Sequence, residues 1–372
     1  MKKFLLPMMV SALALSAATP VMAQAKEVKF GCYAPMTGQL AIFGKSMQTG
    51  IDMAIEDFSK RPEAKGITFR IACDDDQGRA DDGINIARKL GDDRSVLAVI
   101  GSWSSTVTLA AAPLYNAAKL VNITPISSHP DVTKSGPYVF RQSLTQDLEG
   151  ETTSRNLASL GAKRVALIGV PNDYGKANLM YARAGIEKNG GEIVFEEFVR
   201  QDAQDFRQTL QKAVRAKPDW LYLGTFVPQT ALMLKQLRQM GVKTPVYLPA
   251  NNDTPDLLRL GGNEATNGVH LTVAFNPAMG PEMSDFFQRY SAKFGRAPDT
   301  FAGNSYTTTM MMMEIAAKQY PNVTRESIKT GLDEIRDFKS VFGNLKYDPK
   351  TREWQYRLRH GRIEQGVTKM LD

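Results

Sequence analysis

The strongest constraint on the fold is a rhythm that runs twice along the chain. EVKFGCYA (27–34), ITFRIAC (67–73), VLAVIG (96–101) and VNITPI (121–126) read as strands. Between them lie helical patterns at 43–60, 79–91 and 104–118. The first of these spaces Met47, Ile51, Ala54, Ile55 and Phe58 along one face. The rhythm resumes with RVALIGV (164–170), EIVFEEFV (192–199), DWLYLGTF (219–226) and TPVYLPA (244–250), separated by helices at 174–188, 205–216 and 228–240. Strands that are apolar on both faces and alternate with helices build parallel sheets covered on both sides. Two such runs predict an α/β protein of two doubly wound parallel-sheet lobes. The tail differs. Helices are expected at 281–296, 302–317 and 324–335, then a closing hairpin of REWQYRLRH and RIEQGVTKML turning near His360-Gly361. The run Met310–Met313 falls inside the second of these helices and reads as core filling, since methionine adapts to irregular gaps.

The first residues form a unit of their own. Lys2 and Lys3 precede the apolar stretch FLLPMMVSALALSAA, and Val21 and Ala23 stand where a processing enzyme needs small residues. Residues 1–23 are read as a cleavable secretory signal. The apolar run is short for a membrane span and is interrupted by Pro7. No cysteine follows the expected cut, so a lipid anchor is not expected there, and the mature chain is expected to be soluble. The full chain of 372 residues carries 46 Lys+Arg against 39 Asp+Glu; without Lys2 and Lys3 the net charge is +5. That excess is spread along the chain with no basic, aromatic-interleaved stripe, so nucleic acid is not an expected partner. The short runs Asp74-Asp75-Asp76 and Asp92-Asp93 read as loop or helix-cap charge. Export bears on the two cysteines, Cys32 and Cys73, both at strand ends. An oxidising compartment permits a disulfide, and two buried free thiols fit the sequence equally well.

Catalytic signatures are missing. There is no phosphate-binding G-x-x-x-x-G-K-[ST], no H-E-x-x-H, no G-x-G-x-x-G, no G-x-S-x-G and no C-x-x-C. The histidines, His129, His270 and His360, are scattered, so no metal site and no cofactor are expected. His129 beside Ser127-Ser128 is the sole candidate base for a hydrolase, and a triad would need an orienting third group as well. An exported two-lobed protein without catalytic apparatus reads as a binder.

Ligands of open α/β sheets bind beyond the carboxyl ends of the strands. Two strand ends here are rich in hydroxyls. VLAVIG runs into Ser102-Trp103-Ser104-Ser105-Thr106, and VNITPI into Ser127-Ser128-His129-Pro130. A helix start offers unpaired N–H groups and the positive end of its dipole, which with serine hydroxyls makes a carboxylate cradle. The same serines also suit plain capping, with Ser104 and Ser105 at N-cap positions.

The segment VIGSWSSTVTLAAAPLYNAAKLVNITPISS (99–128) resembles the corresponding stretch of the periplasmic leucine/isoleucine/valine-binding proteins. Those are the type I substrate-binding components of branched-chain amino acid ABC transporters. APMTGQLAIFGKSMQTGIDMAIEDF (34–58), RVALIGVPNDYG, DWLYLGTF and GVKTPVYLPA resemble other parts of that family in the same order, so the likeness spans the mature chain. The resemblance implies two lobes joined by three crossing strands near 145, 275 and 352. The N-terminal lobe would then be 24–145 plus 276–352, and the C-terminal lobe 146–275 plus 353–372. It implies a monomer in the periplasm that closes on a small-molecule ligand and docks on an inner-membrane permease. A periplasmic sensor feeding a receptor is the rival role on the same fold.

Carried over residue by residue, the resemblance implies ligand contacts at Phe43, Ser105, Ile126, Ser128, Tyr174 and Phe226, with Trp103 as an apolar wall. Ser104 and Ser127 join them through the two hydroxyl-rich loops. One departure stands out. The family's acidic partner for the ligand ammonium falls on Ala250, or on Asn251 if the alignment slips by one, and Asp253 is the nearest acid. A buried ammonium without an anionic partner is costly. The expectation is therefore a small organic or aromatic acid, with an apolar amino acid as the alternative. A carboxylate side chain at the ligand space would favour the amino acid.

Overall fold

The computed structural model describes residues 26–371. The expected signal segment 1–23 and its cut at Ala23 lie outside the described residues. The first run of the rhythm forms β1 (Lys26–Ala34), α1 (Ala41–Ser59), β2 (Ile67–Asp75), α2 (Ala80–Asp92), β3 (Val96–Gly101), α3 (Ser105–Ala117), β4 (Val121–Thr124) and β5 (Val139–Arg141). These strands make one parallel sheet in the order β2-β1-β3-β4-β5. The second run is α4 (Gln146–Ser159), β6 (Arg164–Gly169), α5 (Asp173–Lys188), β7 (Glu192–Phe198), α6 (Arg207–Arg215), β8 (Trp220–Gly224), α7 (Val227–Gln239), β9 (Val246–Leu248), α8 (Pro255–Gly261), α9 (Asn263–Thr266) and β10 (His270–Val273). The tail supplies α10 (Pro281–Phe294), α11 (Thr300–Gln319), α12 (Arg325–Glu334), β11 (Asp337–Ser340), β12 (Gly343–Asp348), β13 (Glu353–Trp354), β14 (Arg359–Glu364) and β15 (Val367–Met370).

The second sheet runs β15-β14-β10-β9-β8-β6-β7, parallel from β10 to β7 and antiparallel where β14 joins β10. Both sheets are thus wound alike. The first two consecutive strands pair, and the third sits on the far side of the first. That reversal opens a crevice beyond β1 and β3 in one sheet, and beyond β6 and β8 in the other. The tail returns to the first sheet. Met283, Phe286 and Tyr290 of α10 share a core with Phe30, Phe58 and Ile100. Helix α11 runs through this core, and Met310–Met313 are all buried there, as their reading as core requires.

Three passages link the sheets, after Arg141, after Val273 and after Trp354. The third lies a few residues beyond 352, because Glu353–Trp354 pairs with Tyr347–Asp348 and Trp354 is buried in the first core. The closing hairpin departs from its sequence reading. His360 and Gly361 lie inside β14, opposite Thr272 and Leu271 of β10, and the turn is at Gln365-Gly366, both at positive φ. Gly361 serves close packing instead of a turn, since a Cβ there would stand 2.6 Å from Val273 Cγ2.

Cys32 and Cys73 face each other in the β1–β2 register and form a disulfide with Cα atoms 4.1 Å apart. It closes a segment of 41 residues and ties together the two strands from whose ends the loops at 35–37 and 76–79 depart. Restricting the unfolded chain by such a closure contributes roughly 2–4 kcal/mol. Cys32→Ala/Cys73→Ala is therefore expected to lower the unfolding free energy by about 2–4 kcal/mol, read as a lower urea midpoint, with a slope that rises as the unfolded chain expands.

Candidate functional site

The site begins at the end of β3. Gly101 has φ 137°, and a Cβ there would lie 2.2 Å from the Tyr33 carbonyl oxygen, so only glycine lets the chain turn here. The turn delivers Ser102, which is fully buried. Its hydroxyl donates to Asp76 Oδ2 at 2.5 Å and accepts the Ser104 N–H at 3.2 Å. Its carbonyl accepts from Thr124 Oγ1 at 2.7 Å and from Ser127 Oγ at 3.1 Å. Ser127 Oγ lies 2.7 Å from Thr108 Oγ1, which also accepts the Ser102 N–H. The loops after β3 and β4 are thereby joined into one hydrogen-bonded block. Arg141, also fully buried, donates to the carbonyl of His129 at 2.5 Å and pairs with Glu353, holding the β4 loop to the segment before the third passage.

The acidic run is thus more than surface charge. Asp74 pairs with Lys89 on the surface, but Asp75 accepts from the Met36 and Thr37 N–H groups and shapes the loop after β1. Asp76 is buried beneath Ser102, and burial pushes its carboxyl up to about 6.

On the far side of this block lies a cavity between the two sheets. Trp103, Ser104, Ser105, Ile126 and Ser128 line it from the first sheet, and Ser143 and Leu144 from the first passage. Glu149, Tyr174, Phe226, Ala250 and Asn251 line it from the second sheet's side, and Thr300, Phe301 and Asn304 from the start of α11. Nine of the eleven sequence-derived contact candidates therefore meet at one cavity. Phe43 and Ser127 do not line it. Phe43 lies behind Trp103, stacked at 4.4 Å with the rings 5° from parallel. Ser127 spends its hydroxyl on the loop block. Ser104 occupies the N-cap position of α3 without making a side-chain cap bond. Ser105 Oγ accepts the His129 N–H at 3.4 Å.

The opposite wall is aromatic. Trp103 and Phe226 centroids are 4.9 Å apart, and Tyr174 stacks on Phe226 at 5.1 Å. Trp103 Nε1 and Tyr174 Oη are buried without a hydrogen-bond partner. His129 is not a lining residue; its Nδ1 accepts the Asp131 N–H at 3.1 Å.

Six lining residues escaped the sequence reading: Ser143, Leu144, Glu149, Thr300, Phe301 and Asn304. Glu149 is the most consequential. It projects from α4, a helix with weak periodicity, and is 2% exposed. Oε1 accepts the Ala250 N–H at 2.6 Å, and Oε2 is 3.4 Å from Asn178 Nδ2. A carboxyl group therefore stands at Ala250 after all, supplied by a different element. Burial pushes it up to about 7, against the lowering effect of the Ala250 hydrogen bond. Asp253 does not cap the next helix, a task that Thr254 performs; it accepts from Thr368 Oγ1 at 2.8 Å. Because the folded state holds the Glu149 proton above its usual range, ionisation costs stability between about pH 4.5 and 7. Glu149→Gln is expected to gain stability over the wild type as pH rises from 5 to 8, measured by thermal unfolding without ligand.

Comparison with known proteins agrees with this architecture. The family described as periplasmic binding protein matches residues 27–367. An amino acid binding protein of Pseudomonas aeruginosa is 27% identical over 331 residues, covering 87% of each chain. A leucine binding protein, LivK, from Thermotoga maritima superimposes with a TM-score of 0.85 at 26% identity, covering 93% of this chain and 98% of that one. A solute binding protein of an ABC transporter from Rhodopseudomonas palustris, solved with 3,4-dihydroxybenzoic acid, gives 0.84 at 26% identity, covering 91% and 93%. With two alike-wound sheets, a cavity between them and a family match along nearly all its length, the chain belongs to the periplasmic binding protein family.

Proposed function

We propose that the protein is the exported substrate-binding component of an ABC importer. It takes a small carboxylate-bearing ligand in the cavity and passes it to a membrane permease. The working units are two lobes, 26–145 plus 276–354 and 146–275 plus 355–371, which close over the ligand. The ligand carboxylate lies toward Ser104, Ser105 and Ser128, where the α3 N-terminus favours negative charge. Trp103, Tyr174 and Phe226 receive its apolar body. Ile126, Ala250 and Asn251 complete the contacts.

Glu149 carries the choice of ligand. It is a buried carboxyl group at the cavity wall with no cation beside it, hydrogen-bonded to Ala250. An ammonium group on the ligand would supply the missing charge, and this supports an α-amino acid with an apolar side chain. A second reading is an aromatic acid. It is supported by the stacked aromatic wall and by the 3,4-dihydroxybenzoic acid complex of the R. palustris protein, and it requires Glu149 to stay protonated.

The two readings differ in the sign of their pH dependence. An ammonium favours ionised Glu149, so binding expels a proton below about pH 7 and affinity rises as pH goes from 5 to 7, then levels off. A ligand carrying only a carboxylate favours the protonated form, so affinity is full below about pH 7 and falls above it. Calorimetric titration with leucine, phenylalanine, benzoate and 3,4-dihydroxybenzoate from pH 5 to 8 separates them. Glu149→Gln is expected to flatten either profile. Tight binding of these acids with no pH dependence would remove Glu149 from the site, and binding of none would overturn the small-carboxylate reading.

A further inference from the structure

Asn304 lies on α11, 5% exposed, at the wall of the cavity. Its Oδ1 accepts a hydrogen bond from Tyr356 Oη at 2.9 Å. Tyr356 belongs to the third passage between the sheets, and its hydroxyl in turn accepts from Gln142 Nε2 in the first passage. Gln142 Oε1 accepts from Thr308 Oγ1 at 2.8 Å, one turn further along α11. Gln142 and Thr308 are both fully buried.

The donors and acceptors in this chain have one consistent direction. Thr308 O–H gives to Gln142, the Gln142 amide N–H to Tyr356, and the Tyr356 O–H to Asn304. A phenol has one proton to give, and here its oxygen is already occupied by an amide donor. Its proton points to Asn304 Oδ1 at 2.9 Å, with the Gln142 backbone carbonyl a more distant acceptor at 3.4 Å. The Asn304 Nδ2 group is left without a protein partner, and it is not among the side-chain atoms sealed from solvent, although the residue is nearly buried. Asn304 itself lines the cavity.

We propose that Asn304 is a specificity-determining residue that donates an amide N–H to the ligand, and that Tyr356 is the positioning residue that orients it. The assignment rests on the proposed binding of a small carboxylate ligand in this cavity. It also makes the ligand contact continuous with two of the three passages, so ordering of Asn304 by ligand and ordering of Gln142 and Tyr356 reinforce one another.

The test is calorimetric titration of the full mature protein and its variants at fixed pH with leucine, phenylalanine, benzoate and 3,4-dihydroxybenzoate. Asn304→Leu, close in volume, is expected to weaken binding of whichever probe the wild type takes by about tenfold, the scale of one lost hydrogen bond. Tyr356→Phe is expected to weaken it severalfold. In the Asn304→Leu background Tyr356→Phe is expected to add nothing, because no amide remains to be oriented; a residue with only a structural role would give additive losses. Thermal unfolding of each variant confirms that it is folded. Wild-type affinity in Asn304→Leu, or additive effects in the double variant, would overturn the assignment. Failure of the wild type to bind any probe would instead remove the carboxylate reading and the assignment with it.

Discussion

The site depends on one constraint, the parallel direction of its strands. Parallel neighbours need a crossover connection between them, so the parallel strands of each sheet, β1–β5 in one and β6–β10 in the other, end at the same edge. The loops after β3 and β4, and those after β6, β8 and β9, therefore collect at two edges that face one cavity. Serines from the first lobe's loops and aromatics from the second's are neighbours for this reason, although they stand far apart in the chain. The three passages keep the two edges opposed, and the buried contacts of Arg141, Gln142 and Tyr356 lie at or beside them.

Buried polar groups are spent differently on the two sides of the cavity. In the block beneath the β3 and β4 loops they are satisfied internally. Asp76, Ser102, Thr108, Thr124 and Ser127 hydrogen-bond to one another, and Arg141 has Glu353 and the His129 carbonyl. Such a network is stable because each member has a partner, and it fixes the loops it joins. Around the ligand space the opposite holds. Trp103 Nε1 and Tyr174 Oη lack partners, and Glu149 has no neighbouring cation. Unsatisfied groups in a low-dielectric cavity are costly, and a ligand that supplies their complements recovers that cost on binding. A rigid, satisfied foundation beneath an incompletely satisfied wall is the arrangement that selective binding requires.

Much of the fold was legible because it rests on local pattern. The apolar strands VLAVIG and RVALIGV and the helical spacing of Met47, Ile51 and Phe58 need only period and length to be read. Ser104, Ser105 and Ser128 were legible for a related reason, since they belong to hydroxyl-rich loops that follow strands directly, whereas Trp103 and Ile126 came through the family resemblance. Phe43, carried over from the resemblance, and Ser127, taken from its loop, do not line the cavity, because neither matched position nor loop membership sets side-chain direction. Trp103 covers the first, and the loop block claims the hydroxyl of the second. The closing turn was misplaced because Gly361 marks close packing against Val273, a contact made by a distant strand.

By itself the sequence determined the class of fold, its two parallel sheets and which loops could face a ligand, but not the small third sheet of β11, β12 and β13. These follow from hydrophobic period, strand–helix alternation and helix-start chemistry, all of which act over a few residues. Only the tertiary structure decided the charge in the cavity. Glu149 reaches Ala250 across 101 positions of chain, and Asn304 is turned by Tyr356 across 52. Asp76 became a buried support instead of a surface charge once Ser102 was folded over it. A carboxyl group's role depends on whether water, a backbone N–H or a cation stands beside it, and the packing of distant elements supplies that environment.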